Sequence, residues 1–499
     1  MSYLLTIIVF LPLLGLAVTA LLPRGSAGLA KWVALGVTVA DLALTGWLVA
    51  VFDRGNGGMQ FVEDLAWVPQ AGIRYHLGVD GISITMLALA TLLGVVAVVA
   101  SWKVTDRPKA YFAMLLLLQV GMNGVFLALD FVLFYVFWEL VLVPMFFLIG
   151  MWGGARREYA SIKFFIYTLA GSVFMLVGIL ALYLQTGSFD LVALATKGAG
   201  GLLPVDFQNW MFLLFFLGFA VKVPIWPLHT WLPDAHVEAP TAASVLLAGI
   251  LLKMGTYGFI RVSLPILPDA AQAWAPWLAL LAVISIIYGA AVAFAQTDLK
   301  KLVAYSSVSH MGFVMLGIAS MTPEGLNGAV AVMFSHGVVT GMLFLLVGVV
   351  YDRAHTRQIA EISGLSTAMP VAGGLLAFAS FASLGLPGLS GFVGEFLSLL
   401  GSWKAGQGAA PLVPAWMTVI AAIGVLLAAA YMLWMVLRVV LGRPSERVTG
   451  LPDISGRELL ALAPLGVLTV VVGLWWGSLL QFVDPAVKAL LASIGMGPA

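Results

Sequence analysis

The chain is written in long apolar runs joined by short polar segments. Runs without strict alternation occupy residues 2–22, 29–52, 81–101, 110–129, 131–151, 161–185, 207–226, 241–262, 274–296, 302–320, 326–350, 370–403, 412–441 and 458–480. A transmembrane helix needs about 20 apolar residues, whereas a membrane strand alternates over about ten. The pattern therefore predicts an all-α integral membrane protein with about 14 transmembrane helices. Two of these are expected to be broken. The run 370–403 is too long for one straight crossing and contains Leu386-Pro387-Gly388, which breaks helix 12. Pro224 and Pro227 follow Lys222 closely and break helix 7. The least hydrophobic connection, Asp53 to Asp80, is expected to form an extramembrane hairpin.

Composition agrees with the pattern. Hydrophobic residues make up 62% of the 499 positions and charged residues 9%, against about 25% charged in a soluble domain. So few charges cannot solvate a soluble surface of this size, and a net charge of +1 offers no basic face for nucleic acid. The chain has no cysteine, which excludes thiolate zinc, iron–sulfur ligation and covalent haem carried by this chain. The first run lacks a basic leader and a small-residue cleavage site, so it is expected to be retained. Lys and Arg cluster on one side. Connections after odd-numbered helices, with their flanks, hold 16 of the 24, including Arg24, Arg156, Arg157, Lys300, Arg353 and Arg357. The other side holds 6, among them Arg261, and Lys222 and Lys253 lie within helices. The positive-inside rule then makes the odd side cytoplasmic (or matrix) and puts both termini in the opposite compartment, the periplasmic side if the membrane is a cell's inner one.

The charges inside the apolar runs carry the chemistry. Asp41, Glu139, Lys222, Lys253, His310, His336 and Glu395 all fall within predicted crossings. An ionisable residue there costs at least about 2.5–3.5 kcal/mol at mid-depth and by default marks function. Carboxylates, amines and imidazoles are the groups a proton relay needs. Asp41 is also open to a contact with a neighbouring subunit. Asp234, Glu238, His229 and His236 lie in a connection, so solvated or capping roles are their default. His229 and His236 are seven residues apart, which is poor metal-ligand spacing, so no metal is expected.

A long-range repeat accompanies these residues. Gly171–Gly178 is similar to Gly341–Gly348 at an offset of 170; Glu139 and His310 are 171 apart, and Lys222 and Glu395 are 173 apart. The offset spans about five helices, an odd number, so the two copies have opposite topology. Such inverted repeats with broken helices belong to ion-translocating folds. The expected domains are 1–105 (helices 1–3 with the hairpin), 106–270 (first five-helix repeat), 271–442 (second repeat) and 443–499 (helix 14 and tail).

The segment Lys222-Val-Pro-Ile-Trp-Pro-Leu-His-Thr-Trp-Leu-Pro-Asp-Ala-His-Val-Glu-Ala-Pro-Thr241, followed by Lys253, resembles the hallmark of the antiporter-like subunits of respiratory complex I. These are similar in turn to subunits of multisubunit cation/proton antiporters and membrane-bound hydrogenases. The resemblance runs from Trp138-Glu139 to Gly391-Phe-Val-Gly-Glu-Phe396. Within the family one complex I type carries glutamate in broken helix 12, where the others usually carry lysine. Glu395 and the short C-terminal tail fit that type.

The resemblance implies a proton-translocating subunit of NADH–quinone oxidoreductase with no redox site of its own. The alternative is a subunit of a cation/proton antiporter or membrane-bound hydrogenase. It implies that Glu139 sets the charge state of Lys222 through a buried pair, that Lys253 is the central relay, that His310 and His336 continue the polar axis, and that Glu395 serves the exit. The flavin (FMN), iron–sulfur clusters and quinone are expected on partner subunits. The expected partners are the other membrane-arm subunits, L-like and N-like, with lipids around them.

Overall fold

The computed structural model describes residues 3–23, 27–407 and 411–496; Arg24, counted above toward the basic side, lies outside them. Among the described residues, thirteen helices are long and apolar enough to cross a membrane. In chain order these begin with α1 (Leu4–Leu21), α2 (Ala27–Val51), α3 (Gly81–Ala100), α4 (Pro108–Leu127), α5 (Phe131–Trp152) and α6 (Arg157–Thr186). They continue with α7a (Val205–Lys222), α8 (Thr241–Ile266), α9 (Pro268–Phe294), α10 (Leu299–Ser320) and α11 (Pro323–Ala354), and end with α13 (Ala415–Val440) and α14 (Gly456–Leu474). The fourteenth crossing is assembled from α12a (Pro370–Ser383) and α12b (Ser390–Ala405).

Both breaks follow from local chemistry. α7a stops at Lys222 because Pro224 has no amide hydrogen to continue the helical ladder, and the chain resumes as α7b (Trp231–Glu238). Between α12a and α12b, Gly385 and Gly388 adopt φ of +81° and +94°, a left-handed backbone that side-chain-bearing residues avoid. The broken helices pack on equivalent neighbours, α7a on α6 and α12b on α11. The first of these contacts is close. A Cβ at Gly171 on α6 would come within 3.1 Å of Val221, and one at Gly218 on α7a within 2.9 Å of Met175. Small residues let membrane helices approach in this way.

The polar connection from Asp53 to Asp80 folds as an antiparallel pair, β1 (Gln60–Val68) and β2 (Ile73–Val79). Asp80 then caps α3, accepting from Ile82 N and Ser83 N, and pairs with Arg261 of α8 at 2.6 Å. Arg261, read above as a flanking charge, is thus largely enclosed.

Two further sequence expectations change. The last crossing ends at Leu474, not near 480, and the tail forms another helix, α15 (Gly477–Ser493), packed on α3 and α11. The two glycine octamers do not pack alike. Gly171 and Gly178 face α7a, whereas Gly341 faces Leu93 of α3 and Gly348 faces Thr241 of α8. The octamers are similar in sequence but do not share a contact.

Candidate functional site

The helices most enclosed by the chain itself are α8, α10 and α11. They carry Lys253, His310 and His336, so those side chains meet one another in place of lipid. Lys253 is fully buried. Its ammonium donates to the Ala248 carbonyl at 2.5 Å and lies 2.7 Å from Nδ1 of His336. The Ala248 bond falls where α8 widens into a π-turn over Leu247–Leu251, a distortion frequent at functional sites. An ammonium only donates, so Nδ1 of His336 accepts and its proton sits on Nε2. That Nε2 has no hydrogen-bond partner.

The next links run through His310, whose ring centroid is 5.7 Å from that of His336. Nδ1 of His310 lies 2.7 Å from Oε1 of Glu395. A carboxylate only accepts, so this nitrogen donates. On the other side of the ring, Nε2 is 3.1 Å from the Ser383 hydroxyl and 3.4 Å from the Tyr431 hydroxyl. Between the two histidines lies a cavity of about 20 Å³, lined by His310, Ser335, His336, Thr340, Ser383 and Glu395 among others. A water needs on the order of 10–15 Å³ and two to four polar partners, and this cavity offers both. The break in helix 12 makes room for the terminal group. A Cβ at Gly385 would stand 3.2 Å from Oε2 of Glu395.

Glu139 and Lys222 are arranged differently. No ion pair joins them within 4 Å among the described residues, which corrects the buried pair expected from the sequence. The Lys222 ammonium instead lies 5.3 Å from the centroid of the Trp138 ring, a cation–π geometry. Glu139 is half-buried, with Oε1 unpartnered. The physical reason is helix phase. Trp138 and Glu139 are successive residues, about 100° apart around α5. Trp138 faces Phe219 and Lys222 of α7a, and Glu139 is turned away from that contact with its Oε1 still buried.

The connection residues are also corrected. His229, His236 and Glu238 are buried, not solvated. His236 stacks on Phe344 with centroids 4.5 Å apart, and neither of its ring nitrogens has a partner. Glu238 accepts from the Arg156 amide at 2.9 Å. Asp234 keeps a surface role, paired with Lys163 at 2.7 Å. Lys300, counted as a flanking charge, is buried and donates to the Ala239 carbonyl at 2.6 Å. It lines a cavity of about 400 Å³ with Lys103, Glu238, Asp352 and Arg357, on the side rich in basic residues. Asp41 is wholly enclosed within this chain, which removes one of its two open readings, a contact with a neighbouring subunit. Sequence reasoning missed Ser383 and Tyr431. Serine and tyrosine in apolar helices give no signal until their neighbours are known.

Comparison with known proteins gives this arrangement a lineage. Residues 128–422 match the family described as "NADH:quinone oxidoreductase/Mrp antiporter, TM". The chain is 46% identical to NADH-quinone oxidoreductase subunit M of Rhodobacter capsulatus, with 98% of this chain and 97% of that protein aligned. It superposes on a chain of respiratory complex I from Thermus thermophilus with a TM-score of 0.88 and 32% identity, covering 98% of this chain and all of that one. The Mrp complex from a Dietzia species shares the fold, with a TM-score of 0.84 at 21% identity, covering 99% of this chain and all of that one. The chain belongs to the NADH:quinone oxidoreductase/Mrp antiporter transmembrane family.

Proposed function

We propose that the chain moves protons in the membrane arm of an NADH–quinone oxidoreductase, with Glu139, Lys222, Lys253, His336, His310 and Glu395 as the relay. The observation that carries this reading is the line from Lys253 through His336 and His310 to Glu395, closed by 2.7 Å contacts at both ends. Each member can both hold and release a proton, and one water between the imidazoles completes the path. The relatives named subunit M, and the complex I match, support the same reading.

The mechanism is electrostatic. Lys222 is loaded where Glu139 steadies its charge from a distance. Loss of that field favours transfer of the proton toward Lys253. From there the line is preset: Lys253 passes a proton to His336, His336 through water to His310, and His310 to Glu395. Moving each charge against the membrane potential costs about 2.3 kcal/mol per 100 mV. Nothing on this chain captures redox energy, so FMN, the iron–sulfur clusters and quinone are placed on partner subunits. The L-like and N-like subunits are the proposed neighbours in the arm, in an inner membrane with both termini periplasmic.

The test is Glu139→Gln and Lys222→Ala in the assembled complex, reconstituted in vesicles. Both proton pumping and quinone-linked NADH oxidation are expected to fall. Unchanged pumping in both variants would sink the proposal, and sodium-coupled transport would move it to the antiporter branch.

A further inference from the structure

A carboxyl that the relay does not use, Asp41, is wholly enclosed about halfway along α2. Its surroundings differ from those of the other buried aspartates. Asp130 receives three backbone amides, from Arg74, Val132 and Leu133. Asp80 has the Arg261 guanidinium, and Asp298 has that of Arg357. Asp41 receives one bond, from a neutral group. Oδ2 accepts from Nδ2 of Asn123 at 2.9 Å, and Oδ1 has no partner.

The network behind Asn123 runs in one direction only. Gln119 donates to Oδ1 of Asn123 at 2.8 Å. Asn123 spends its amide hydrogens on Asp41 and on the Ile8 carbonyl of α1, at 3.0 Å. Two buried acceptors are left without a donor, Oδ1 of Asp41 and Oε1 of Gln119. The Thr45 hydroxyl, one turn beyond Asp41, bonds to neither. No donor reaches Oδ1 of Asp41, and a proton on that atom removes the bare acceptor.

Nothing nearby supplies a counter-charge instead. α1 and α3 carry no charged residue. Lys31 is ten residues back on α2, about 15 Å along the helix, and Lys109 is fourteen residues from Asn123 on α4, about 21 Å. The other titratable groups around the cluster are Glu63 of β1 and Tyr75 of β2, both bonded to the first turn of α1, Glu139 of α5, and Tyr111 of α4. None is a cation. An ionised carboxylate in such a seat is disfavoured, and the group neutralises instead.

We propose that Asp41 binds and keeps a proton, as a carboxylic-acid site that stands outside the relay and stays loaded at neutral pH. As the neutral acid it ties α2 to α4 and, through Asn123, to α1. Asp41 and Asn123 both precede residue 128, where the family match begins.

The experiment is infrared difference spectroscopy of the assembled complex, wild type against Asp41→Asn, at neutral pH. The expected result is loss of one protonated-acid carbonyl band that does not change during turnover, with assembly and pumping as in the wild type, because an amide mimics the neutral acid. Loss of a carboxylate band, a band that responds to turnover, or loss of pumping in an assembled variant overturns the proposal. Asn123→Leu gives a second reading that leaves the acid in place. Removing the bond to Oδ2 should move the same band to higher frequency, and an unmoved band contradicts the site.

Discussion

The two ends of the relay are built on opposite principles. From Lys253 to Glu395 the side chains are hydrogen-bonded at both ends and separated in the middle only by a water-sized cavity, with Lys253, His336 and His310 on helices that the protein itself encloses. Glu139 and Lys222 sit at the edge of that enclosure without touching, and an aromatic ring lies beside the ammonium. A closed line conducts whenever it is loaded and cannot by itself impose direction. An open pair can be made and unmade. In the proposed relay, this difference would put control at Glu139 and Lys222 and conduction beyond them.

Substitutions at the two ends should therefore differ in kind. The largest effect is expected for Lys222→Ala, which removes the only amine of α7a. Pumping in reconstituted vesicles should fall by about 10²-fold, the scale of losing one positioned proton-transfer group. Lys253→Met comes next. It leaves Nδ1 of His336 without its donor, but the polar cavity beside His336 can admit water, so pumping should fall severalfold without vanishing. If Lys253→Met proves the more damaging, control and conduction are assigned the wrong way round.

Gly385→Ala tests the closed end through the backbone. The left-handed φ costs an alanine about 1–2 kcal/mol, and the new Cβ crowds Oε2 of Glu395. A modest drop in the subunit's melting temperature with a partial loss of pumping is expected. The smallest effect is expected for Trp138→Leu, which removes a cation–π contact of about 0.5–2 kcal/mol. Proton uptake by Lys222 should weaken, read as a shift in the pH profile of pumping with assembly unchanged. No shift would mean that Trp138 is packing only.

The sequence made the closed end more legible than the open one. The crossings, both helix breaks and every member of the line could be read from apolar runs, prolines and the few charges inside them, because lipid and interior both exclude uncompensated charge. Spacing could not say which charges touch. Glu139 and Lys222 looked like a pair, but the rotation of α5 turns Trp138 toward the lysine. His236 and Lys300 looked solvated because they lie near connections, yet α11 closes over His236 through Phe344. Ser383 and Tyr431 carry no charge, so only the folded neighbourhood reveals them. α15 falls in the expected tail, yet ten of its seventeen residues are apolar, and α3 and α11 supply the surface they need.

The central claim is that protons cross this chain through the imidazole line. The most direct measurement is the number of protons moved per NADH oxidised by the assembled, reconstituted complex carrying His336→Phe. This substitution keeps a ring of similar shape and removes both proton-exchanging nitrogens. The account predicts a lower ratio, or oxidation and pumping that fall together, in a complex of normal composition. An unchanged ratio at an unchanged oxidation rate would contradict it.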